Sequence, residues 1–476
     1  MLRSTWSRVA VLALAAGVVW LPFAGRDLSP DEGGLLILAG QWSPGSSLYG
    51  DYFVDRPPML VALFSLADQL ADQLGGSAWA LRSLGILAVV ATVLLAGAVG
   101  RAAAPGRLAP VLAAATAAIL AATPLFGGTV VDGELFGLPF LVGGSAAAIR
   151  AMRAARPRSA LLWGVVAGAA GASGALVKQS LVDVFVLVAV LALVQRRARP
   201  LLGVACGALA VVAVTTWAAY LRGTDPGDLW DAVVVFRQQA AAVIASSATG
   251  STGARLGGLL VALVLSGAPL VAAVLVRALG RPTTETPDLR WPAAAVLAGE
   301  VAVVLGGGSY WLHYLMGLVP GLVLLAAAAA QRPRTGRIPL MVAYGAAAAS
   351  TAITLVWVGV HPIDRPEKPV IAYLDAHARP GDTAVVAFGG ANILEATGLR
   401  SPYPDLWSLP VRVHDPDLVH LTALLAGPDR PTWLVVAGTS LGTWGVDATS
   451  ADTYLHRDYT PVTTTGDFTI YRSNEP

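Results

Sequence analysis

The chain has 476 residues, of which 55% are hydrophobic and 13% charged, and its mean hydropathy is +0.64. Soluble domains carry roughly 25% charged residues, so this composition excludes an ordinary soluble globule and indicates an integral membrane protein. The formal net charge of +2 is spread over loops with no basic domain, which gives nucleic-acid binding no support.

From the N-terminus, Arg3 and Arg8 precede an apolar run, Val9 to Ala24, much as in a secretory signal. Phe23-Ala24-Gly25 is a poor small-x-small cleavage site, so an uncleaved first span is expected. Runs of this kind recur, and at about 1.5 Å per residue they are long enough to cross about 30 Å of hydrocarbon. Hydropathy predicts a polytopic α-helical protein with about 11 transmembrane helices, at 8–24, 78–100, 108–125, 133–149, 159–177, 180–195, 200–220, 256–276, 291–307, 312–330 and 338–359. The single cysteine, Cys206, rules out a disulfide framework and is expected as a small buried hydrophobe.

With the N-terminus in the cytoplasm, the inner turns carry clustered arginines, among them Arg150, Arg153, Arg156 and Arg158, then Arg196, Arg197 and Arg199. The opposite turns hold few cations (Arg26, Arg56, Arg82, Lys178, Arg222, Arg237, Arg255) and most of the acids. Chemistry is therefore expected on the outer face. Glu300, inside the ninth span, is an exception without an explanation at this level. An odd number of spans delivers the tail to the same side. We expect residues 1–360 to form the membrane domain, with outer loops 25–77 and 221–255, and 361–476 to form a small extracytoplasmic α/β domain.

Both long outer loops contain amphipathic stretches, "LVALFSLADQLADQL" at 60–74 and "GDLWDAVVVFRQQAAAVIA" at 227–245, which suit interfacial helices or plain packing against the spans. In the tail, strands are expected in "DTAVVAFGG", "PTWLVVAG" and "DFTIYR", with helices near 367–378, 415–426 and 450–457. The Gly389-Gly390 pair lacks a following GxGxxG, which favours a strand-to-helix turn over a phosphate loop.

Four groups of charge gather at the outer ends of the early spans. Asp31 and Glu32 follow Ser29-Pro30 and belong to the first turn of a helix, where the dipole favours acids; capping and catalysis are both open to them. In "DYFVDRPPML" at 51–60, Arg56 beside two prolines suits bidentate phosphate recognition, or pairs only with Asp55. In "VDGELF" at 131–136, Asp132 and Glu134 can aim at one hard cation or one hydroxyl, or merely complement a helix start. Lys178, in "ALVKQSLVD", can neutralise a lipid phosphate or snorkel to the headgroups. His313 and Tyr314 add an imidazole and an aromatic ring at the outer start of a later span, where an ordinary interfacial belt also fits.

In order and spacing these motifs resemble the C-type (GT-C) glycosyltransferases, in particular the family-39-like group of protein O-mannosyltransferases and lipid A aminoarabinose transferases. The matching residues are Asp31-Glu32, "LYGDYFVDRPPML", Asp132 with Glu134, "LVKQS" and "HYLMGLVP", over most of residues 1–330. The resemblance implies a hexosyl- or pentosyltransferase of the cell membrane. It would move a sugar from a polyprenyl-phosphate donor to an extracytoplasmic glycan, lipid or protein acceptor, with inversion. It casts Asp31 as the acidic catalytic residue of the first loop, with Glu32 sharing that work, and Arg56, Lys178 and His313 at the donor phosphate. Asp132 and Glu134 become ligands of substrate or of a divalent cation, Mg or Mn. The tail lacks a β-trefoil insertion, which weakens the case for a protein acceptor. The alternative is a transporter or flippase of lipid-linked sugars, against which stands the absence of an evident internal repeat.

Overall fold

The computed structural model describes residues 4–42, 45, 47–106, 108–246, 250–332, 336–362 and 365–474. The first half of the chain forms α1 (Thr5–Val18), α2 (Pro30–Gln41), α3 (Pro58–Leu74), α4 (Ser77–Ala103), α5 (Leu108–Ala122), α6 (Gly133–Arg153), α7 (Pro157–Val177), α8 (Asp183–Gln195) and α9 (Arg199–Leu221). The second loop folds as α10 (Pro226–Trp230), a π turn (Asp231–Val235) and α11 (Phe236–Ser246). The later helices are α12 (Gly250–Leu265), α13 (Ala268–Leu279), α14 (Arg290–Gly306), a 3-10 turn (Leu312–Leu318), α15 (Val319–Ala330) and α16 (Arg337–Val360).

All eleven expected spans fall on helices, but the count is not settled by length. Among the described residues, seven helices are long and apolar enough to cross a membrane, and α12 with α13, bent by 58°, raises this to eight. Helices α5, α8 and α14 are shorter, at 15, 13 and 17 residues. The bundle's outer surface is apolar: Leu87, Leu162, Leu209, Val214, Met341 and Val356 are all exposed, the pattern of a surface facing hydrocarbon. Cys206 belongs to that surface. It is exposed on α9, contrary to the buried position expected, because an apolar run facing lipid has no need to bury its small residues.

Small residues let α7 and α9 touch backbone to backbone. A Cβ at Gly168 would lie 1.9 Å from the Val204 carbonyl oxygen, and one at Gly207 would lie 2.1 Å from that of Val165. This is the close approach that small residues four apart permit between membrane helices. Glu300 also makes a packing contact between helices. Buried on α14, it accepts the Gly321 N–H at 2.7 Å through Oε1, satisfying a donor in the first turn of α15 from a neighbouring helix.

The tail forms α17 (Lys368–His377), β1 (Ala384–Ala387), α18 (Ala391–Thr397), α19 (Ser408–His414), α20 (Val419–Ala426), β2 (Trp433–Ala437), α21 (Thr449–Asp458), β3 (Tyr459–Thr465) and β4 (Phe468–Ser473). The sheet order is β1-β2-β4-β3, with β1 and β2 parallel and the other pairs antiparallel. Alternate residues of β1 and β2 serve two cores, as a period of two requires. Val386, Trp433 and Val435 join the core that is continuous with the helices, whereas Val385, Leu434 and Val436 pack with α20 and α21. Strand β3, "YTPVTTT", is not among the strands expected from the sequence; its β-branched threonines suit a strand, and as the edge of the sheet it tolerates Pro461.

Candidate functional site

The first turn of α2 is built by a capping box. Ser29 Oγ accepts the Glu32 N–H at 3.3 Å and Glu32 Oε2 accepts the Ser29 N–H at 2.8 Å, with Pro30 at the first helical position. Glu32 points into the protein, fully buried, where it also accepts from Arg82 Nη2 and from the Val131 N–H, each at 2.9 Å. Arg82, expected on an outer turn, is instead buried on α4, and it further donates to the carbonyls of Phe23, Arg26 and Asp27. Glu32 therefore has no oxygen turned to a cleft, and of the expected acidic pair only Asp31 has one. Asp31 is exposed, and its Oδ1 accepts the indole N–H of Trp407 at 3.0 Å.

Asp31 lines a cavity of about 1170 Å³ together with Arg56, Asp132, Glu134, Lys178 and His313. Six of the seven residues to which the resemblance gives roles thus meet, drawn from two helix starts, one loop, one helix end and a 3-10 turn. Asp132 is the N-cap of α6, where its Oδ1 accepts the Leu135 N–H at 2.9 Å, and Glu134 lies in the same first turn. Burial and the neighbouring Glu134 push the Asp132 carboxyl well above its ordinary value. Lys178, just past the end of α7, pairs with Glu134 and lies 4.6 Å over the Tyr314 ring, so it does not snorkel. His313 Nδ1 stands 3.8 Å from Asp132 Oδ2.

Asp55 anchors the loop between α2 and α3 between two cations, with Arg56 and Arg237 each donating to one of its oxygens at 2.6 Å. Burial opposes the charge on Asp55, and the two guanidiniums overcome that, holding the carboxyl below its ordinary value. Two cations around one anion leave this cluster with a surplus positive charge beside the cavity. In sequence Arg237 is only one of several scattered cations, in an amphipathic stretch that explains itself as a helix. Trp407 and Arg412, which also line the cavity, carry no local signal at all.

A second cavity of about 840 Å³ adjoins the first and shares Glu134, Lys178, Arg237, Gly307 and Tyr314 with it. Its further walls are mostly apolar, from Leu181 and Val186 on one side and Val296, Val303 and Val304 on the other, interrupted by the buried carboxyl groups of Asp183 and Glu300. A polar chamber thus runs into an apolar groove, with cations at the junction.

Asp132, Glu134 and His313 offer one ligand atom each, all within 4.8 Å of one another. Two carboxylates and an imidazole fit a divalent cation, and they suit Zn or Mn better than Mg, which favours oxygen alone. A cation there would also relieve the crowding of the two acids.

No protein-family model matches the chain, and no curated protein matches it by sequence. Its fold, however, matches solved structures. ArnT from Cupriavidus metallidurans bound to undecaprenyl phosphate shares 15% identity over 97% of each chain, with a TM-score of 0.68. The Archaeoglobus fulgidus oligosaccharyltransferase in complex with Zn and sulfate shares 13% identity over 98% of this chain and 73% of the other, at 0.52. The mycobacterial arabinofuranosyltransferase AftD shares 16% over 98% of this chain and 41% of the other, at 0.54. All three are GT-C glycosyltransferases, and the chain has the GT-C fold.

Proposed function

We propose that the protein is a membrane glycosyltransferase that takes a sugar from a polyprenyl-phosphate donor and passes it to an extracytoplasmic acceptor with inversion. The observation that carries this reading is the pair of joined cavities: an apolar groove suits an isoprenoid chain, and the cations at its mouth suit the phosphate that ends it. The fold supports it, and one neighbour with that fold was solved bound to undecaprenyl phosphate. The transporter alternative gains nothing from the neighbours, which are transferases.

In this reading Asp31 is the general base. As the acceptor hydroxyl oxygen attacks the anomeric carbon, its proton passes to the Asp31 carboxylate. The bond from the anomeric carbon to the phosphate oxygen breaks on the opposite face, and polyprenyl phosphate leaves with the electron pair. Lys178 and the surplus charge of the Arg56, Asp55 and Arg237 cluster stabilise the departing phosphate. His313 is placed beside them with Asp132 and Glu134. If a cation is bound by those three, it supplies Lewis-acid polarisation of a phosphate oxygen. Residues 1–360 make the transferase body and 361–476 an outer unit, with the site facing out of the cell.

The test is Asp31→Asn in native membranes of a deletion strain, which hold donor and acceptor alike. The variant should be present at the wild-type level and transfer no sugar. Undiminished transfer would remove Asp31 from the reaction.

A further inference from the structure

Between them, α2 and the C-terminal unit make a contact that the proposed reaction does not yet use. The starts of α18 and α19 hold the beginning of α2. Asn392, at the start of α18, donates from Nδ2 to the Leu28 carbonyl at 3.1 Å, and its backbone lies so close that a Cβ at Gly33 would sit 2.5 Å from its Cα. Trp407, immediately before α19, lays its ring on Gly34, where a Cβ would come within 2.3 Å of ring carbon Cζ2. Gly34 is three residues beyond Asp31, hence its neighbour on the same helix face. Only the missing side chain lets the indole come close enough there for its N–H to reach the Asp31 carboxylate.

We propose that the C-terminal unit is part of the transfer site, with Trp407 as the residue that positions Asp31. This rests on the reading of Asp31 as the general base. An indole N–H can donate and never accept, so Trp407 cannot take the acceptor's proton itself. By holding Oδ1 at 3.0 Å, it fixes the carboxylate's rotation and leaves Oδ2 to meet the acceptor hydroxyl. The same segment, with Ser408, Leu409, Pro410 and Arg412, lines the cavity. The acceptor therefore meets the base against a wall that the membrane helices do not supply. The unit gives the site a working part, beyond any stabilising role.

The experiment compares Trp407→Phe, Gly34→Ala, the double variant and Asp31→Asn as full-length proteins in the same membranes, with rates taken per folded molecule. Phenylalanine keeps a ring over Gly34 but removes the donor, and alanine at 34 keeps the indole but displaces it. Hydrogen bonds to charged groups are worth roughly tenfold to a hundredfold, so each single variant should lose about that much in kcat. The KM for the membranes' own lipid-linked donor, and the melting temperature, should stay unchanged in Trp407→Phe. The double variant should lose less than the product of the singles, because both act on one contact. Wild-type kcat in Trp407→Phe alongside an inactive Asp31→Asn would overturn this proposal and leave the base assignment standing. Full activity in Asp31→Asn would overturn both.

Discussion

Replacing Glu32 with alanine should unfold the end of the bundle around the start of α2 and not silence an otherwise intact protein. The Glu32 carboxylate is wholly buried and receives donors from Ser29 at 2.8 Å and from Arg82 and Val131 at 2.9 Å each. Alanine leaves the Arg82 guanidinium, whose side chain is 1% exposed, without its counter-charge. Removing one partner of a buried ion pair costs about 3–5 kcal/mol. Two backbone amides also lose an acceptor, at about 1–3 kcal/mol each where water cannot replace it. The three carbonyls that still hold Arg82 moderate the loss. The low end of these figures, about 5 kcal/mol before that moderation, is already a large part of the roughly 5–15 kcal/mol by which proteins are stable. Thermal unfolding in detergent, followed by tryptophan fluorescence, should show a melting temperature lowered by many degrees and a shrunken monodisperse fraction. Glu32→Gln, which keeps the shape and one full acceptor, should fall between alanine and wild type. A Glu32→Ala protein that melts like wild type and transfers no sugar would refute this, making Glu32 a reacting group.

Gly168→Val should separate α9 from α7, since a Cβ there would overlap the Val204 carbonyl; accelerated proteolysis near 199–221 reads this out, and an unchanged pattern would show that the contact gives way easily. Asp55 makes stability pH-dependent in a defined direction. Its folded pKa is depressed, so its contribution is complete above the unfolded value of about 3.9 and is lost as pH falls through the lower folded one. The melting-temperature gap between wild type and Asp55→Asn should hold from pH 7 to about pH 5 and close only below about pH 4; closure between pH 7 and 6 would contradict the paired geometry. If Asp132, Glu134 and His313 bind a cation, adding Zn or Mn to the chelated protein should raise its melting temperature, and His313→Ala should abolish that rise; a rise that survives His313→Ala would place the ion elsewhere.

The helical class, the places where helices fall and six of the residues that line the cavity were legible in the chain alone. Span positions are local facts, set by runs of apolar residues whose length answers to the bilayer, and acids at helix starts announce themselves through Ser29-Pro30 and the N-cap Asp132. What failed was direction. Asp31 and Glu32 are adjacent and chemically alike, yet a helix turns successive side chains about 100° apart, so one faces the cavity and the other the core. Nothing local says which, because the answer depends on Arg82, fifty residues on.

Sequence by itself determined a polytopic α-helical chain with its acids gathered toward one set of turns, because hydropathy and charge act residue by residue over short windows. Tertiary structure alone decided which charges meet. Arg237 closes on Asp55 across 182 positions, and Trp407 reaches Asp31 across 376. Such contacts leave no periodicity and no motif at either end, because the partner that gives each residue its role is supplied by the packing of distant elements.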